Sequence, residues 1–169
     1  AERIQVELVK LLTSDHPQMM RDLYELGLTA VFMPEFDVMM QTPQHNKHHM
    51  YSVGEHTLHT LEHVRADKIL RLTMLLHDVA KPVCVTTDEK GQNHFKGHPA
   101  EGAERARVIL RRLKFDNETI KRVCLLVRYH DDRPAVTPRN VRRAISRIGV
   151  ENMEALFAVK RADTLAQSM

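Results

Sequence analysis

The sequence predicts an all-α fold carrying one small β-hairpin near residues 83–95. Three observations carry that expectation. Apolar residues recur at helical spacing along most of the chain. Gly27, Pro82 and Pro99 stand where helices should stop or start. One stretch, Val83–Phe95, breaks the rhythm, with Val83, Val85 and Thr86 as strand formers and Glu89-Lys90-Gly91 as a turn.

The elements follow in order. Residues 2–13 read as an amphipathic helix with Ile4, Leu8, Leu11 and Leu12 on its inner face. Residues 17–26 read as a second, closed by Gly27 as C-cap. Pro34 and the His-rich stretch 43–50 are expected to mark an ordered loop. Helices are expected over 53–65 and 67–79, the latter stopping before Pro82. After the hairpin, helix resumes over 99–113, with Pro99 at the first helical position. Further helices are expected over 117–130, 138–148 and 151–166. There is no repeat, low-complexity tract or linker, so residues 1–169 are expected to form a single domain.

Bulk composition narrows the class. Apolar residues make up 43% and charged residues 28%, a globular and soluble balance. No apolar run approaches the roughly 20 residues that span a bilayer, so no membrane partner is expected. The start Ala1-Glu2-Arg3-Ile4-Gln5 is charged and does not read as a secretory signal. Cys84 and Cys124 form no metal-type pair and read as core thiols in a reducing, cytoplasmic setting. The net charge of +3 conceals an asymmetry: residues 100–147 hold thirteen Lys/Arg against six Asp/Glu. Clustered positive charge attracts phosphate-rich partners, although solvated helix faces produce the same count.

The chemistry concentrates at His77-Asp78, which ends the apolar run Leu72-Thr73-Met74-Leu75-Leu76. A core does not accept an adjacent imidazole and carboxylate without a partner, and a metal ion satisfies both. His130 shares a helical face with Val123 and Leu126, and Asp163 shares one with Leu156 and Val159. His77 follows Leu70 by seven and Met74 by three, and His98 precedes Pro99 at a helix start. With His56 upstream, the candidate metal ligands are His56, His77, Asp78, His98, His130 and Asp163. Imidazole and carboxylate without thiolate suit Fe, Mn, Ni, Co or Zn, with Mg a further candidate. Six ligands exceed one tetrahedral ion. They fit two, with Asp78 as the bridge, His56, His77 and Asp163 on one side, and His98 and His130 on the other. A single ion held by His56, His77, Asp78 and Asp163 is the alternative. Neutral imidazole ligands imply that metal binding weakens below about pH 6.

Other candidates are weaker. His56, His59 and His63 form one helical stripe, but His59 and His63 read as outer or exposed residues. His45, His48 and His49 read as loop residues at the cleft mouth, and His16 as a helix-entry residue. Lys81, three after Asp78, could reach a substrate phosphate, or simply face a helix C-terminus. Arg133 could also help with charge, and Asp131 could orient a ligand or cap a helix end.

The ordered set His56, His77-Asp78, His98, His130 and Asp163 resembles the HD-domain metal-dependent phosphohydrolase family. A narrower likeness rests on Met33-Pro34-Glu35-Phe36-Asp37, Tyr51-Ser52-Val53-Gly54-Glu55-His56-Thr57, His77-Asp78-Val79-Ala80-Lys81-Pro82, Gly97-His98-Pro99-Ala100 and Lys160-Arg161-Ala162-Asp163. These stretches look like the HD domain attached to bacterial tRNA nucleotidyltransferases (CCA-adding enzymes) and poly(A)-polymerase-like proteins. The resemblance runs from about residue 3 to residue 167. It implies phosphodiesterase or phosphatase action on nucleotides or RNA 3′ ends with a metal-activated water. Asp78 and Lys81 would be the catalytic candidates, and Lys81 and Arg133 the substrate-binding ones. The family's polymerase head carries an Asp-x-Asp pair on a sheet, and none occurs here. The chain is therefore expected to lack nucleotidyltransferase activity and to be an excised or stand-alone HD domain. The competing expectation is a non-catalytic tRNA-binding or RNA-binding module with a structural metal.

Overall fold

The computed structural model describes residues 1–45 and 51–167. Helix α1 (Glu2–Leu12) buries Leu8 and Leu12. A short 3-10 turn, Pro17–Met19, runs into α2 (Met20–Glu25). Gly27 closes α2 at φ +80°, a conformation that costs glycine little. Its N–H reaches Tyr24 O at 3.0 Å and the Leu28 N–H reaches Leu23 O at 2.9 Å, the paired bonds of a Schellman cap.

Residues 29–40 differ from expectation. They form α3 (Thr29–Phe32) and α4 (Pro34–Met40) rather than a loop. Pro34 sits at the first helical position, where its missing N–H is no loss, and Phe36 and Met39 are buried. The remainder of the expected loop, at 46–50, lies outside the described residues.

Helix α5 (Val53–Leu61) starts at Ser52, whose hydroxyl accepts the Glu55 N–H at 3.0 Å. Helix α6 (Lys68–Leu76) starts at Asp67, whose carboxylate accepts the Leu70 N–H at 3.0 Å. Both end a few residues before the expected bounds. Every residue from Ile69 to Leu76 is buried, so α6 is the central pillar. Helix α1 and α5 pack against it, as do α9 (Asn117–Tyr129) and α11 (Val150–Leu165). Buried Arg71 braces this centre, donating to Val64 O at 3.1 and 3.2 Å and to Ser14 O at 3.3 Å.

After α6 comes a single helical turn, α7 (Lys81–Cys84), which takes up Val83 because Pro82 suits a first turn. The hairpin is correspondingly shorter than expected. Its strands β1 (Thr86–Thr87) and β2 (Asn93–His94) pair antiparallel, Thr86 with His94 and Thr87 with Asn93. The Asn93 N–H also reaches His45 O at 2.9 Å, tying the hairpin to residues 43–45. Helix α8 (His98–Arg112) and α9 form the most extensively packed pair. Helix α10 (Pro138–Ile148) packs on α11, with Gly149 at φ +91° between them. The fold is all-α with one small hairpin. No helix among the described residues is long and apolar enough to cross a membrane.

Candidate metal centre

The ends of three helices converge on one point. His77 caps the C-terminus of α6, and Asp78 follows it. His130 caps the C-terminus of α9, and His98 opens α8. His56 projects from α5 and Asp163 from α11. The C-terminal ends of α6 and α9 carry partial negative charge, which favours a cation between them.

All six residues come together. His56 Nε2 lies 2.7 Å from Asp163 Oδ1, and His77 Nε2 lies 3.2 Å from both Asp163 Oδ1 and Asp78 Oδ2. On the other side, His98 Nε2 lies 3.3 Å and His130 Nε2 3.6 Å from Asp78 Oδ1. Asp78 therefore turns one oxygen to each set. The donor atoms of His56, His77, Asp78 and Asp163 lie within 4.8 Å of one another, as do those of Asp78, His98 and His130. His56, His77, Asp78 and His130 are at most 1% exposed.

The hydrogen bonds around the rings test whether a cation fits. His77 Nδ1 meets Met74 O at 2.6 Å, His98 Nδ1 meets Phe95 O at 2.9 Å, and His130 Nδ1 meets Val127 O at 2.6 Å. A carbonyl only accepts, so each Nδ1 donates. In the neutral ring, Nε2 is then a lone pair aimed into the cluster. Two of these lone pairs, on His98 and His130, face each other at 3.3 Å. Asp78 Oδ2 is buried with no hydrogen bond. The facing lone pairs repel unless a positive charge lies between them, and the donor set around them fits a divalent ion.

Without an ion, a proton on His77 takes part of that role. Burial pulls the His77 imidazolium down, but Asp78 and Asp163 overcome it and hold its pKa up at about 10. Burial pushes Asp163 up, and the hydrogen bonds from His56 and His77 overcome this and hold it well below the carboxylate range. Asp78 is likewise held low against its burial, by the charges of His77 and Lys81.

A cleft of about 440 Å³ opens over the cluster, with Asp78, His98, His130 and Asp163 on its floor. Lys81 and Arg133 both line it. Lys81 Nζ donates to Gln44 Oε1 at 2.7 Å, lies 3.4 Å from Asp78 Oδ2 and sits 4.9 Å over the Phe95 ring. Arg133 is exposed, with Nη1 bonded to His130 O at 3.2 Å. Asp131 lies on the cleft wall, exposed and outside both ligand groups. His59 turns away and stacks on Tyr51, ring centroids 4.4 Å apart, and His63 and His16 are exposed. His45 borders a neighbouring cavity with Tyr51 and Ser52, while His48 and His49 lie outside the described residues. Sequence reasoning missed Gln44, which holds Lys81, and Lys96, which edges the cleft. Lys96 had one signal, its place two residues before His98. Gln44 had none.

Fold and site together define an all-α domain with an internal His/Asp cluster able to hold a divalent metal. Residues 47–166 match the family model described as HD domain, and the chain belongs to that family. Residues 1–40 match a second model, described as "Probable RNA and SrmB- binding site of polymerase A". Among relatives, a CC-adding tRNA nucleotidyltransferase of Thermus thermophilus is 38% identical over 84% of this chain and 34% of its own length. An A-adding tRNA nucleotidyltransferase of Deinococcus radiodurans is 38% identical over 76% of this chain and 31% of its own. A multifunctional CCA protein of Actinobacillus pleuropneumoniae is 32% identical over 77% of this chain and 33% of its own. The chain thus spans about a third of the length of these relatives.

Proposed function

We propose that the chain is a metal-dependent phosphohydrolase domain that cleaves a phosphoester of a nucleotide or of an RNA 3′ end. The observation that carries this reading is Asp78, buried, with its two oxygens turned to two different sets of imidazoles. His56, His77, Asp78 and Asp163 would hold one divalent ion, and Asp78, His98 and His130 a second. A divalent ion bound there supplies Lewis acidity toward phosphoryl oxygens and lowers the pKa of a water nucleophile. The mixed imidazole and carboxylate donors suit Fe, Mn, Co, Ni or Zn better than Mg, which prefers oxygen alone.

The chain's own cations do the rest. Gln44 and Asp78 hold the Lys81 ammonium at the cleft wall, where it meets a phosphate oxygen as a point charge. Arg133 offers a planar fork to the remaining phosphate oxygens, and Lys96 adds charge at the edge. The cleft volume falls in the range of small-molecule sites. The names of the relatives support tRNA as the source of the RNA end, and within this reading the protein works in the cytoplasm with Cys84 and Cys124 as free thiols.

The test is metal content by plasma emission on protein purified without chelator, paired with hydrolysis of 2′,3′-cyclic AMP and a generic phosphodiester under added Mn, Ni, Co and Mg. Bound metal and turnover, both lost in Asp78→Ala, are the expected result. Folded protein with neither metal nor turnover under any added ion would overturn the reading.

A further inference from the structure

Some of the positive charge in residues 100–147 is paired at the surface. Arg112 forks onto Glu35 at 2.6 and 2.9 Å, Arg105 pairs with Glu101 at 3.3 Å, and Arg122 bonds Asn152 at 3.1 Å. Arg111, Lys114, Lys121 and Arg128 are exposed without an ion pair among the described residues, and α10 gathers four more such cations on one helix. Its arginines Arg139, Arg142, Arg143 and Arg147 are exposed, and among the described residues none is in an ion pair. Their spacing of three and four puts them on one open face of the helix, together with Ser146.

This face works against the helix that carries it. Like charges at i, i+3 and i, i+4 repel, and Arg139 sits in the first turn, at the positive end of the helix dipole, with no acidic residue to offset it. Arg147 gains from the last-turn dipole and from the Tyr129 ring 6.0 Å away, so the arginines that stability leaves unexplained are Arg139, Arg142 and Arg143, and a polyanion accounts for them. Beside the arginines lies a groove of about 410 Å³ between α10 and α11. Val141, Ala144 and Phe157 contribute apolar wall, and Phe157 is 62% exposed. Lys160 and Arg133 also line it, and Arg133 lines the His/Asp cleft as well, so the two cavities adjoin. Burial first, and Arg133 second, lower the Lys160 pKa against the pull of Asp132 and Asp131.

We propose that the arginine face of α10 and the adjoining α10–α11 groove form a docking track for single-stranded RNA, feeding its 3′ end past Arg133 into the His/Asp cleft. The direction of the track rests on the phosphohydrolase reading. The pairing of chemistries selects the partner: arginines take the backbone phosphates, and an exposed aromatic in an apolar groove takes a base. An anionic lipid surface would use the charge but not a groove of this shape.

The experiment is fluorescence anisotropy of the full chain with a labelled oligoribonucleotide of roughly 12 nucleotides, titrated across salt concentration. The triple variant R142Q/R143Q/R147Q, checked for folding by circular dichroism, is expected to bind at least about tenfold more weakly. Its slope of log affinity against log salt should be shallower by about 2, three lost phosphate contacts at about 0.7 each. Phe157→Ala is expected to weaken binding about tenfold with the slope unchanged, because stacking carries no counterions. A triple variant with wild-type affinity and slope would overturn the track. So would a wild-type chain that binds phosphatidylserine vesicles and not the oligonucleotide. Anisotropy reads binding without turnover, so a chain that binds RNA but hydrolyses no 2′,3′-cyclic AMP counts against the hydrolase reading and supports the track.

Discussion

Gly54 is the position where a single methyl group should cost most for its size. It lies in the first turn of α5, two residues before His56, and α4 crosses against it. A Cβ there would lie 2.5 Å from Met40 Sδ and 2.7 Å from both Met40 Cα and Met40 N. Ordinary contact begins at 3.4 Å, so relief requires a shift of about 0.7 Å against the two backbone atoms. The sulfur is the end of a flexible side chain and can swing away, but the backbone of α4 cannot. Alanine gains at most about 1 kcal/mol over glycine in helix propensity. Overpacking costs about 1–3 kcal/mol, so the clash wins and Gly54→Ala should be destabilising on balance. The shift also reaches the site, because His56 rides on the same turn and stands 2.7 Å from Asp163. A misplacement on the order of 1 Å can cost about 100-fold in turnover. The assay is urea unfolding of the metal-free protein alongside metal content and phosphodiester hydrolysis. Gly102→Ala is the control: its Cβ would meet only the Val127 side chain closely, at 3.3 Å, and propensity should offset most of that. If Gly54→Ala were as stable as wild type and kept full metal content, the close approach of α4 and α5 would not be what positions His56.

Two further outcomes separate the halves of the cluster and its protonation. His98→Ala should lower metal content from about two ions per chain to about one, whereas Asp78→Asn should lose both, because only Asp78 faces both sets; equal losses in the two variants would refute the shared carboxylate. The metal-free protein should lose stability as pH rises from about 6.5 to about 10, the interval between the ordinary and folded pKa of His77. The sign follows from the raised value: the folded state holds the proton more tightly, so its contribution is complete at low pH and gone above about 10. Calorimetry at pH 8 in buffers of different ionisation enthalpy should accordingly show proton release on metal binding, and a melting temperature of metal-free protein that is flat over that interval would contradict it. The competition between proton and metal thus extends well above the pH 6 that unperturbed imidazoles imply.

The convergence of the polar residues was legible because three of the six stood on stripes of apolar residues. Leu70 and Met74 point His77 inward, Val123 and Leu126 do so for His130, and Leu156 and Val159 for Asp163, and all the apolar residues named are buried. Periodicity works for a helix interior because burial on one face is what selects it. It was blind to α4, since Pro34 reads as a breaker unless one knows that it opens a helix and that Phe36 finds a core. It could not rank His56 against His59, which share a stripe. What separates them is the ring of Tyr51, which stacks on His59. Nor could it find Gln44, 37 residues from Lys81, because a single side-chain hydrogen bond imposes no period.

The division of Asp78 between two sets of imidazoles was expected from the number and order of the ligands rather than from their spacing, and it bears most on function. Helix spacing says which face a residue takes, not which oxygen meets which ring. That division follows from where helices end. His77 and His130 are both C-caps, and each donates Nδ1–H to the carbonyl three residues back in its own last turn. The carbonyls that a helix end leaves unpaired therefore set the tautomer of the rings beyond them. With His98 held the same way by Phe95 O, His98 and His130 in their neutral form turn lone pairs inward, while His77 holds a proton until an ion displaces it. A proton on His77 compensates Asp78 and Asp163, but it cannot also lie between His98 and His130, 3.3 Å apart on the far side of Asp78. One proton answers half of the cluster, and a divalent ion would answer the rest. A core that breaks the rule against buried polar groups this thoroughly has a place for a charge beyond those of His77 and Lys81.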